Sequence, residues 1–105
     1  MLTMMILPAL ALAAAPETPA LASAIIDCTD RHAAMLASSE RSAAAIADAT
    51  VAACSHTLDR LNEITSLDPA EAERERALKA ALRDGAMVWI RARAVTIVER
   101  SRSRP

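Results

Sequence analysis

Residues 25 to 36 read IIDCTDRHAAML, which sets Cys28 four positions before His32; a second pair, Cys54 and His56, follows two apart. These four side chains are candidates for a metal site, a reactive thiol or a disulfide. The answer depends on how the surrounding residues fold. Leu21, Ile25, Cys28, His32 and Met35 recur at steps of four and three, which places them on one face of a helix. Thr18 as N-cap with Pro19 at the first helical position supplies its start.

Further along, the polar break ASSERS (residues 37 to 42) separates this segment from a second helix. Its stripe carries Ala47, Val51, Cys54, Leu58, Leu61 and Ile64 or Thr65. If the two helices pack antiparallel, residues equidistant from the turn lie level. The midpoint of Cys28 and Cys54 is Arg41, inside the polar break, so the two sulfurs are placed to meet.

Whether they bond depends on the compartment. Residues 1 to 15, MLTMMILPALALAAA, hold no ionisable side chain and close on small residues, as a secretory signal peptide does. A membrane span needs about 18 to 20 apolar residues, and this run is shorter, with Pro8 in its middle. Cleavage is expected after Ala13 or Ala15, leaving one small domain, residues 16 to 105, in the periplasm or outside the cell. In such a protein an even pair of cysteines is ordinarily a disulfide, Cys28 to Cys54.

No metal site is expected. Cys54 and His56 are two apart and face nearly opposite sides of a helix, so one ligand points away. His32 reads instead as a partly buried residue near the turn. No catalytic residue and no cofactor site is expected either. Ser55 beside His56 diverges on a helix, and a single glycine, Gly85, leaves no phosphate-cradling loop. Asp27 and Asp30 flank the apolar stripe as solvated carboxylates. The chain reads as a non-enzyme.

Composition sets the class as all-α. Alanine is about a quarter of the chain, and Phe and Tyr are absent. A third helix begins with Asp68 as N-cap, Pro69 at the first position and Glu71 three residues on, and runs to about Glu99. Ala77, Leu78, Ala81 and Leu82 are its expected buried side, and Gly85 its expected close approach or kink. The architecture is then a three-helix bundle, or a helical hairpin plus a long C-terminal helix.

The segment MVWIRARAVTIVERSRSRP, residues 87 to 105, spreads its apolar residues around a helix instead of confining them to one stripe. Its β-branched content also admits a strand over 88 to 98. From Gly85 onward five arginines face one acidic residue, Glu99, so the net charge of -1 conceals an asymmetry. Met87, Trp89, Ile90, Arg91, Arg93, Ile97 and Arg100 form the candidate interaction surface, for a homodimer, an envelope protein partner or weak contact with an anionic membrane surface. Residues 101 to 105 are expected to be disordered. Nucleic acid is disfavoured by the acidic remainder and by the lack of stacking aromatics other than Trp89.

Together DCTDRHAAML (27 to 36), IADATVAAC (46 to 54) and RARAVTIVER (91 to 100) resemble small, alanine-rich exported two-cysteine helical proteins of Gram-negative bacteria. The resemblance implies no catalytic residue. It fits an exported binding or structural module, the alternative being a small inhibitor or accessory subunit of a secreted enzyme.

Overall fold

The computed structural model describes residues 17 to 104; the expected leader, residues 1 to 15, lies outside them. The described residues form helices and no strand. Helix α1 spans Glu17–Leu36, α2 spans Ala43–Ala53, a single turn α3 spans Ser55–Leu58, a 3₁₀ turn follows over Asp59–Asn62, and α4 spans Pro69–Arg102. The chain runs up, down and up. Residues 88 to 98 lie within α4, so the strand reading is set aside.

The boundaries follow local chemistry. Ser42 caps α2 by accepting from the Ala45 N–H at 3.1 Å. Asp68 caps α4 by accepting from the Glu71 N–H at 3.1 Å, with Pro69 in the first turn where its missing N–H costs nothing. At α1 the expected start is displaced. Helix is already present at Glu17, so Thr18 and Pro19 lie within the helix and not at its cap.

The second helix departs further from expectation. It breaks at Cys54, whose N–H is shared between the carbonyls of Thr50 and Val51 at 3.0 and 3.2 Å. The chain then tightens into the 3₁₀ turn and has no regular structure over residues 63 to 67, so Ile64 and Thr65 lie beyond it. The segment SHTLDRLN is poor in strong helix formers, and the stripe Val51, Cys54, Leu58 is buried without a continuous helix.

Three groups of side chains build the core. At one end Ile25, Cys28, Val51, Cys54, Leu58 and Ile90 pack together. In the middle the buried contact narrows to Ala33, Ala47 and Ala94, with the partly buried Val95 and Ile97 packed against them. Beyond it Ala37, Ile46 and Val98 close the end beside the α1–α2 turn. Two buried threonines hydrogen-bond within their own helices: Thr29 donates to the Ile25 carbonyl and Thr50 to the Ile46 carbonyl, both at 2.7 Å.

The disulfide joins α1 to the break at the end of α2. The sulfurs of Cys28 and Cys54 lie 2.09 Å apart and their Cα atoms 6.0 Å apart. Both cysteines are buried. Closing a loop of this sequence separation stabilises the fold by about 3.5 kcal/mol through lost unfolded-state entropy.

Candidate interaction surface

The arginine-rich end of α4 is tied inward at three points. Arg91 donates to Asp48 on α2 at 3.1 Å, and Arg93 to Asp30 on α1 at 3.0 Å. The hydrogen bond to Asp30 and the negative charge of Asp30 hold that guanidinium above its ordinary pKa. Arg102 donates to the carbonyls of Ala37, at 3.3 Å, and Ser39, at 2.9 Å, and also to that of Arg41. It thereby satisfies carbonyls that the end of α1 and the following turn leave open.

These contacts revise the sequence reading in two places. Asp30 is an ion-pair partner and not only a solvated carboxylate. The helix also continues through Arg102, where disorder was expected from Ser101 onward. Basic charge that looked surplus in the sequence is met by acidic residues and carbonyls of α1, α2 and the turn between them.

The candidate residues separate accordingly. Ile90 is fully buried and belongs to the core. Met87 and Ile97 are half-buried against it. Arg91 and Arg93 hold α4 to its neighbours, leaving Trp89, 40% exposed, and Arg100 facing outward. Trp89 borders a shallow apolar groove shared with Ala22 and Ile26 of α1. A second groove, between α2 and α4, is lined by Ala44, Ala47, Val88 and Val95 beside the Asp48–Arg91 pair.

The first half of α4 carries the largest surprise. Leu78 and Leu82 are 61% and 50% exposed, and Ala77 and Ala81 are exposed too, the reverse of the expected burial. The inward side of this half helix is polar instead. The Glu75 carboxylate accepts from the Thr65 N–H at 2.6 Å, from the Thr65 hydroxyl at 2.9 Å and from the Ser66 N–H at 3.2 Å. Lys79 donates to the Glu63 carbonyl, and Arg83 pairs with Asp59 at 3.6 Å.

A polar strap, residues 59 to 66, therefore lines the side of α4 where a third helix would need apolar residues. Once Glu75, Lys79 and Arg83 face it, the leucines turn outward. The hydrogen bonds from Ser66 and Thr65 hold the Glu75 carboxyl below its ordinary pKa. Gly85 is likewise not a close approach among the described residues: a Cβ placed there meets nothing within 4 Å, and α4 is continuous through it.

Apolar side chains thus stand outward on α4 at Leu78, Leu82 and Trp89, with Ile26 of α1 beside Trp89, and Val88 is exposed on the α2 side. The polar sign of the strap was visible in the sequence only as the run EITSLD between two helical patterns.

Among the described residues no group of three or more His, Cys, Asp or Glu side chains is gathered as a metal site. His32 is half-buried on α1 and His56 exposed on α3. No described helix is long and apolar enough to cross a membrane. No protein-family model, curated protein or solved structure matches the chain.

Proposed function

We propose that this protein is an exported module of the bacterial envelope that acts by binding another protein through the outward face of α4, and not by catalysis. The observation that carries this reading is the set Leu78, Leu82 and Trp89, three large apolar side chains left in solvent along one side of α4, on a fold of this size. Apolar exposure gathered on one side of a helix marks an interaction site more often than single scattered side chains do. The Cys28–Cys54 bond supports export, because such bonds persist in oxidising compartments and are rare in the cytosol. The internal use of Arg91, Arg93 and Arg102 favours a protein partner over an anionic membrane surface, since three of the five terminal arginines already have partners.

Two measurements test the proposal. Thiol alkylation after cell fractionation should find Cys28 and Cys54 oxidised and the protein outside the cytosol; free thiols in a cytosolic protein would refute export. A photoactivatable side chain at Leu82 in living cells should give a discrete protein adduct, whereas the same group at Arg76 should not. Equal labelling from both positions, or from neither, would refute the binding face.

A further inference from the structure

The outward face of α4 has an internal symmetry. Arg74, Leu78, Ala81, Leu82, Gly85 and Trp89 follow one another at spacings of four, three, one, three and four, the same read in either direction. All six are exposed and fall within about 100° of the helix circumference. The centre of the pattern lies between Ala81 and Leu82.

We infer that the partner on this face is a second copy of the chain, with the first halves of the two α4 helices packed antiparallel about a two-fold axis at that centre. The inference rests on the binding reading above and names its partner. A two-fold contact brings the same patch of both protomers together, so every residue must meet its symmetry counterpart favourably. Here the counterparts are complementary. Leu78 lies over the partner's Gly85, Leu82 over the partner's Ala81, and Arg74 over the partner's Trp89.

Each pairing has a physical basis. Leu78 is a large side chain in solvent, and Gly85 is a gap on the same face, where a Cβ would meet no described neighbour within 4 Å. A glycine in a helix interior is unfavourable for the isolated chain, and a knob from the second copy gives this one a use. The Leu82–Ala81 pairs at the axis let the backbones approach closely. Arg74 brings a cation to the indole of Trp89, an attraction that strengthens when both are desolvated. The two copies of Arg74 stand well apart along the antiparallel pair, so no like charges meet at the axis.

The fold leaves room for this arrangement. The contacts Asp30–Arg93 and Ala37–Arg102 show α1 and α4 running in the same direction, with Glu17 level with residue 80. The first three turns of α4 therefore extend past the described start of α1. Among the described residues only the strap accompanies them, and it runs along the side that carries Glu75 and Lys79, about 100° around the helix from Leu78.

The test uses the oxidised chain recovered from the secretory compartment of a bacterial host. Sedimentation velocity at micromolar concentration should give the mass of a dimer. Leu78→Glu should shift it to monomer. Gly85→Leu should do the same while leaving the thermal midpoint of the protomer undiminished, because the position is exposed and a Cβ placed there meets no described neighbour within 4 Å. Mixing Leu78→Cys with Gly85→Cys protein should give an interchain disulfide, and Leu78→Cys alone should not.

A monomeric wild type, a dimer that survives both Leu78→Glu and Gly85→Leu, or self-linking by Leu78→Cys would overturn the inference. A monomer that is exported, oxidised and joined to a different protein through Leu82 would end it while leaving the binding module intact. Free cytosolic thiols would instead end the export reading, whatever mass is measured.

Discussion

Cys54 is fully buried, ends α2 and bonds to Cys28, so one residue combines a break in the helix with a covalent tie. Replacing both cysteines with alanine should lower the free energy of unfolding by about 3 to 4 kcal/mol, measured by urea denaturation of the oxidised parent and the variant. Arg102 acts at the other end of the core by a different means, meeting carbonyls around the turn through its guanidinium. Arg102→Leu should speed amide exchange over residues 38 to 42 and leave exchange around the disulfide unchanged, as read by hydrogen exchange with mass spectrometry. Uniform acceleration along the chain would show that the turn has no separate stability.

At the scale of elements, the middle of the bundle is set by Ala33, Ala47 and Ala94, all buried. A leucine at Ala94 has no space to enter and should destabilise the fold by about 1 to 3 kcal/mol or more, measured as a fall in the urea midpoint. Acid should act first on the strap. The Glu75 carboxyl is held below its ordinary pKa by Ser66 and Thr65, so its contribution is complete above the usual carboxylate range and is lost as pH falls through its lowered value. Limited proteolysis at descending pH should therefore cut residues 63 to 67 before α1 or α2, and Glu75→Gln should show the same cutting already at neutral pH. Sequence periodicity made the hairpin and the disulfide legible, because Cys28 and Cys54 sit on apolar stripes equidistant from a polar turn. It misplaced Leu78 and Leu82 because their stripe looks the same whether it faces a core or solvent. What decided the matter was Glu75 reaching Thr65 and Ser66, ten and nine residues away, a pairing that no local pattern announces.

At the scale of the whole molecule, the described residues form a slab of 52 × 38 × 16 Å, and their radius of gyration of 16.8 Å exceeds the roughly 13 Å of a compact domain of about this length. One element accounts for the long dimension: α4, at 34 residues, is about 51 Å long. So thin a body leaves little depth for a core, which is why alanines and a disulfide hold it where larger side chains would thicken it. Reduction should accordingly lower the thermal midpoint steeply, as followed by the circular dichroism of the helices. The Arg102 clasp and the Leu78–Trp89 row also stand toward opposite ends of one rigid rod. A fluorophore or surface anchor attached behind Arg104 would sit beside the α1–α2 turn, far from the apolar row, so the protein can be tethered by that end for single-molecule or biosensor work with its sticky arm left free.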